Sequence, residues 1–133
     1  MELTKELINI FTDWTKLKIS LHISEKEIYF NSGQIWWVSL GQNIGSEQNG
    51  KNINFERPIL ILKKFNAGTF LSVPISTKIK KGQYYYIFTN EHGTFCVNLS
   101  QIRLISSKRL LRLTGKMNKT DFDTIRTKIK EFL

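Results

Sequence analysis

Gln34-Ile35-Trp36-Trp37-Val38-Ser39-Leu40 is the stretch that leaves this chain the fewest ways to fold. Successive residues of a strand point to opposite faces, so Trp36, Val38 and Leu40 take one side and Ile35 and Trp37 the other. Both sides are apolar, and such a strand must be covered twice, as in a closed or sandwiched sheet. Asn31-Ser32-Gly33 before it reads as a turn. A polar loop with Gly41, Gly45 and Gly50 follows over residues 41–56, and loops of that length in compact domains are usually functional or mobile.

The remaining strands follow in order. Pro58 has no N–H for a ladder and belongs at the start of a strand, which places Arg57 at the mouth of the buried run Ile59-Leu60-Ile61-Leu62. Asn66-Ala67-Gly68 turns the chain into a strand from Phe70 to Ser76, with Pro74 near its end. Tyr84 to Phe88 is a strand by its aromatic and β-branched content. Asn90-Glu91-His92-Gly93 is a hairpin turn, Thr94 to Leu99 pairs back, Ser100 to Ile105 continues extended, and Arg109 to Lys116 is a last short strand.

The flanks are helical. Leu3, Leu7, Ile10, Phe11, Trp14, Leu17 and Leu21 recur at three- and four-residue steps over residues 3–21, the stripe of an amphipathic helix, with Trp14 as its core anchor. Asn118 is placed to cap a final helix with Asp121 in its first turn and Phe122, Ile125, Ile129 and Phe132 on its buried face. The expected architecture is α+β, a strand-rich barrel bracketed by two helices, in one domain of 133 residues. No apolar run approaches the roughly 18 residues of a membrane span. Residues 1–6 lack the basic start and hydrophobic region of a signal, so no membrane association and a cytoplasmic location are expected.

Charge separates the chain into zones. Residues 1–56 carry five Lys or Arg against seven Asp or Glu, whereas residues 57–120 carry twelve Lys or Arg against Glu91 alone, a balance of +11. A field of that density attracts phosphate backbones and acidic protein segments. It also argues against chemistry that needs clustered carboxylates, namely metal-clamped nuclease action and paired-carboxylate glycosidase action. Cys96 has no partner for a disulfide and reads as a buried structural thiol. With only His22 and His92 beside it there is no Cys/His zinc set. His92, at a hairpin tip, reads as solvated, and no Gly-x-Ser-x-Gly elbow supports a Ser-His-acid triad.

RNA can be cut without metal, because its 2′-hydroxyl is already a nucleophile. A protein then needs to position the phosphodiester and stabilise the developing charge. An arginine fork grips two phosphate oxygens and a hydroxyl donates a third hydrogen bond. Arg57 with Ser76 or Thr77, at the ends of adjacent strands, could supply that pair. The competing reading is a surface arginine paired with Glu56 or Glu47.

Gly33-Gln34-Ile35-Trp36-Trp37-Val38, Gly45-Ser46-Glu47-Gln48, Arg57-Pro58-Ile59-Leu60-Ile61-Leu62, Val73-Pro74-Ile75-Ser76-Thr77 and Ser100-Gln101-Ile102-Arg103, with the closing amphipathic helix, together resemble the MazF/PemK family of toxin endoribonucleases. The resemblance covers about residues 33–133 and leaves 1–32 as an N-terminal helical extension. It implies a small SH3-like β-barrel (a MazF/CcdB-like fold) with a C-terminal helix, forming a homodimer whose groove takes single-stranded RNA. It implies a type II toxin that cleaves mRNA at specific sequences without metal or other cofactor, leaving a 2′,3′-cyclic phosphate and a 5′-hydroxyl, and that is held in check by a cognate acidic antitoxin. The family's catalytic arginine falls on Arg57, its catalytic Thr/Ser on Ser76 with Thr77 next, and its loop glutamate on Glu47. Gln48, Lys78, Lys80, Lys81 and Arg103 become the candidate RNA contacts, with solvated lysines the plain alternative for the three. Two departures stand out: Asn49 to Glu56 makes eight residues before Arg57 where family members commonly have two or three, and the helix at 3–21 is an addition. The rival functions are a non-catalytic barrel of the same fold, either a gyrase poison or an RNA-binding module.

Overall fold

The computed structural model describes residues 1–133 and shows how the doubly apolar strand is covered. Strand β1 (Gln34–Ser39) sends Ile35 into one core and Trp36 and Val38, with the following Leu40, into another. Strand β2 (Glu56–Lys64) does the same, with Leu60 and Leu62 on the first side and Ile59 and Ile61 on the second. β3 (Thr69–Ser76) gives Val73 and Ile75 to the first core and Phe70 to the second. Two-residue alternation therefore feeds two separate cores from the same three strands.

Strands β4 (Tyr85–Asn90), β5 (Gly93–Asn98), β6 (Arg103–Ser106) and β7 (Leu110–Lys116) complete a seven-stranded antiparallel sheet ordered β4-β5-β3-β2-β1-β7, with β6 also on β3. β3 is the branch point. Thr69 to Ser72 pairs with β6, and Ile75 and Ser76 pair with β5. Register shifts in β1 opposite β7 and in β2 opposite β3 mark bulges, which add twist and bend the sheet around its cores. The strands expected from sequence all form, but the sheet is open. The chain passes from β6 to β7 through a 3-10 turn at Ser107–Arg109, and no ladder joins β7 to β6 or β4. Closure needs pairing between the two ends, which strand patterns do not encode.

Helix α2 (Lys119–Glu131) starts as expected, the Asn118 side chain accepting from the Asp121 N–H at 2.8 Å. It caps the first core with Ile125 and Ile129 while Phe122 and Phe132 pack at its margin. Helix α1 (Lys5–Ile23) also forms, with Thr4 Oγ1 accepting from the Leu7 N–H at 3.1 Å. Its apolar stripe, however, is only partly used. Trp14 alone is buried, while Leu3 and Phe11 are 78% and 37% exposed. Trp14 finds a seat because Gly41 has no side chain. A Cβ there would lie 2.4 Å from the indole, and Phe55 sits 5.6 Å from it, ring to ring. No helix is long and apolar enough to cross a membrane.

Candidate active site

The site begins with strand register. β2 and β3 pair antiparallel with Ile59 opposite Pro74, and that register, continued two residues toward the strand ends, would set Arg57 across from Ser76. Directly opposed residues share a face, so the guanidinium and the hydroxyl line one cavity of about 260 Å³ with Gln48, Lys51, Lys78, Lys80, Tyr85, Cys96 and Asn98. Four cations and no carboxylate line it.

Arg57 is 9% exposed. Its Nε donates to the Asn49 carbonyl at 2.7 Å and its Nη1 to the Ile75 carbonyl at 3.5 Å. With the Gln48 amide turned to satisfy both groups, its oxygen accepts from Nη2 at 3.0 Å and Nε at 3.3 Å. Burial pushes the guanidinium below its ordinary pKa. The surface ion pair weighed above does not form. Glu56 is taken by Arg112 at 2.6 Å, and the carboxylate of Glu47 turns back to accept from the Ile44 N–H at 2.9 Å. Arg57 is thus held by neutral acceptors and keeps its full charge for a ligand.

A second cavity of about 240 Å³ adjoins the first, with Gln48 lining both. It contains Asn43, Glu47, Gln101 and Arg103. Arg103 Nη1 donates to the Leu40 carbonyl at 3.1 Å. Burial lowers its pKa, and the charge of Glu47 partly offsets that. The loop between the cavities is well tied. Gln101 accepts from the Gln48 N–H and donates to the Ser46 carbonyl, both at 3.1 Å. Asn43 Nδ2 donates to the Gln48 carbonyl at 2.8 Å.

Of the residues expected from sequence, Arg57, Ser76, Gln48, Lys78 and Lys80 come together in the first cavity, and Glu47 and Arg103 share the second. Thr77 and Lys81 are exposed and line neither. The Ser76 hydroxyl accepts from the Lys78 N–H at 3.0 Å, which sets the turn leaving the strand. Sequence reasoning misses Lys51, Tyr85 and Asn98, and misses Gln101 as a clamp although it lies within a quoted motif. Lys51 arrives through the extra loop, where Lys51 and Glu56 form a two-sided backbone bridge, each N–H to the other's carbonyl at 2.8 Å. Cys96 is buried as expected, its thiol 3.5 Å from the Lys80 carbonyl, and His92 is exposed. No group of three or more His, Cys, Asp or Glu side chains is placed to hold a metal ion.

Residues 31–133 match the family described as PemK-like, MazF-like toxin of type II toxin–antitoxin system. Among solved structures, MazF from Deinococcus radiodurans superposes with a TM-score of 0.65 at 20% identity, covering 80% of this chain and 97% of that one. The MazE–MazF structure from the same organism gives 0.61 at 15% identity, covering 80% and 96%. An endoribonuclease in complex with its cognate antitoxin from Mycobacterial species gives 0.59 at 15% identity, covering 77% and 93%. No curated protein matches the sequence. Likeness at such low identity establishes a shared fold.

Proposed function

This chain belongs to the PemK-like, MazF-like toxin family of type II toxin–antitoxin systems, and from that premise we propose that it is a sequence-specific endoribonuclease acting on single-stranded mRNA without a metal. The observation that carries the reading is the meeting of Arg57 and Ser76 in one cation-lined cavity free of carboxylates. A phosphodiester seated there has its non-bridging oxygens between a guanidinium fork and a hydroxyl donor, with Lys51, Lys78 and Lys80 adding positive field.

The 2′-oxygen attacks phosphorus, the bond to the 5′-oxygen breaks, and the products are a 2′,3′-cyclic phosphate and a 5′-hydroxyl. One proton leaves the 2′-hydroxyl and one reaches the departing oxygen. A guanidinium does not readily give up its proton, so Arg57 acts by stabilising charge that builds on the phosphate in the transition state, and the Ser76 hydroxyl donates to the same oxygens. Glu47 and Arg103, one cavity away, lie beside a neighbouring nucleotide rather than the scissile phosphate. The protein works as a homodimer, and an acidic segment of a cognate antitoxin silences it by occupying the same cationic surface. The antitoxin complexes among the structural neighbours support an antitoxin as partner.

The test is to incubate the purified chain with a long unstructured RNA in EDTA and map the fragment ends. Discrete cuts leaving 5′-hydroxyl ends are expected, and Arg57→Ala should lower the rate by roughly 10²–10³-fold or more while the fold is kept. Intact RNA from folded, antitoxin-free protein would overturn the reading.

A further inference from the structure

Helix α1 lies outside the residues that match the toxin family, yet it does more than cover Trp14. With β6 and the 3-10 turn it encloses a cleft of about 340 Å³ lined by Trp14, Lys18, Ile19, Leu21, His22, Ser106, Lys108 and Arg109. Three fixed cations and a histidine stand around an apolar floor, and no carboxylate lines it. Lys108 Nζ is fastened to the His22 carbonyl at 2.6 Å, tying the turn to the helix end. Lys18 is exposed and forms no ion pair.

Arg109 is the centre of this cleft. Its Nη1 alone bonds to protein, donating to the Ser39 and Leu40 carbonyls, each at 3.1 Å. No buried side-chain nitrogen lacks a partner, so Nε and Nη2 are accessible donors. Its guanidinium sits 5.5 Å from the centre of the Trp14 ring, within reach of the cation–π attraction. Burial, and then the charge of Arg103, hold the Arg109 pKa down to about 10. A half-buried cation with another cation as its electrostatic neighbour gains most from an anion.

The cleft also borders the cavities of the proposed active site. The Leu40 carbonyl accepts from both Arg103 and Arg109, and Leu40 lines the second cavity. Gln48 joins that cavity to the one holding Arg57 and Ser76. Three guanidiniums, each anchored on backbone carbonyls, therefore line three neighbouring cavities from the strand ends to the helix. Resting on the ribonuclease reading, we propose that α1 and the Ser107–Arg109 turn form an additional subsite for a backbone phosphate of the bound RNA, several nucleotides from the cut. Arg109 supplies the fork, Lys18 the outer charge, and Trp14 with Ile19 the apolar floor beneath the sugar.

The experiment measures binding of fluorescent RNA to Ser76→Ala protein by anisotropy across a salt series, using an oligomer long enough to run from Arg57 to α1 and a short one that is not. Lys18→Glu is the main variant, because Lys18 is an exposed residue with no role in the fold. Lys130→Glu, at an exposed position near the end of α2, controls for net charge. The long oligomer should bind Lys18→Glu about tenfold more weakly at low salt, with its salt slope shallower by about 0.7 per lost phosphate contact, while Lys130→Glu and the short oligomer change little. Arg109→Lys, which keeps the charge but loses the fork, should weaken the long oligomer in the same direction. Equal losses in Lys18→Glu and Lys130→Glu, or unchanged slopes, would overturn the subsite while RNA binding at Arg57 stands. No RNA binding by any form would overturn the ribonuclease reading along with it. A poly-glutamate peptide that loses affinity in Lys18→Glu when RNA does not would give the cleft to a protein ligand and likewise refute the RNA subsite.

Discussion

Gln101→Met isolates the clamp that holds the loop between the two cavities. Methionine keeps most of the length and packing of glutamine but can neither accept from the Gln48 N–H nor donate to the Ser46 carbonyl, the two bonds at 3.1 Å that Gln101 makes across 53 and 55 residues of sequence. A neutral hydrogen bond contributes a net ~0.5–1.5 kcal/mol. Gln101 is only half-buried, so the pair together contributes ~1–2 kcal/mol to closing the loop. That is a factor of roughly 5–30 in the local opening equilibrium. Backbone exchange at Gln48 should therefore speed up by about the same factor, with β2 and β3 unchanged, since the opening is local. The loop is not freed altogether, because Asn43 and the Asn49 carbonyl beneath Arg57 still tie it down. RNA cleavage should fall by less than exchange rises, and through KM more than kcat if Gln48 serves chiefly to seat the substrate. Wild-type exchange at Gln48 in a normally folded Gln101→Met protein would refute the clamp.

Three further perturbations bear on separate parts of the molecule. Ser76→Ala should cut the cleavage rate at least tenfold and Thr77→Ala should leave it within a few-fold, because only Ser76 lines the cavity with Arg57; single-turnover kinetics decides it, and the reverse ranking would move the hydroxyl to Thr77. Gly50→Ala sets a Cβ 1.7 Å from the Phe55 carbonyl oxygen, a backbone clash expected to cost about 1–3 kcal/mol and to lower the melting temperature by roughly 3–15 °C. Tyr86 donates to Asp121 at 2.5 Å, and burial first, then that bond and the carboxylate's charge, raise its pKa above 10. A raised acid keeps its proton in the folded state while the unfolded chain loses it, so its stabilisation is complete below pH 10 and is lost as pH climbs from 10 through the folded value. The wild-type minus Tyr86→Phe difference in denaturant midpoint should be flat below pH 10 and shrink above it, and a difference flat up to pH 11.5 would count against the linkage.

How far the sequence carries depends on whether a feature is set by neighbours along the chain or across it. The two faces of β1 are a local pattern, and the two cores follow from it directly. Arg57 and Ser76 are also legible, because each proline marks the outer end of its strand, although β2 begins two residues before Pro58 rather than at it, and an antiparallel pair of those strands must bring their outer ends together. The helix period of α1 is legible too, but a period says nothing about the surface that receives it. Trp14 is buried because Gly41 is bare at the point of contact, while Leu3 and Phe11, on the same stripe, meet no such site. Lys51 is the opposite case. It reaches the cavity only because the chain folds back through Asn52 and Phe55 at φ of 66° and 47°, a conformation that Asn tolerates and Phe rarely adopts, with Gly50 donating to the Gly41 carbonyl at 2.8 Å to close the return. The cost of that backbone strain is offset chiefly by backbone hydrogen bonds, with the Phe55 ring set against Trp14 as its one aromatic contact. Structure stored that way leaves no apolar period or motif in the sequence. It does have a functional consequence, since the same folding-back presents the Asn49 carbonyl to Arg57 at 2.7 Å and places Lys51 beside it. Two of the eight residues that look like an interruption of the motif therefore serve the cavity that the motif residues define, Asn49 by holding Arg57 and Lys51 by lining it.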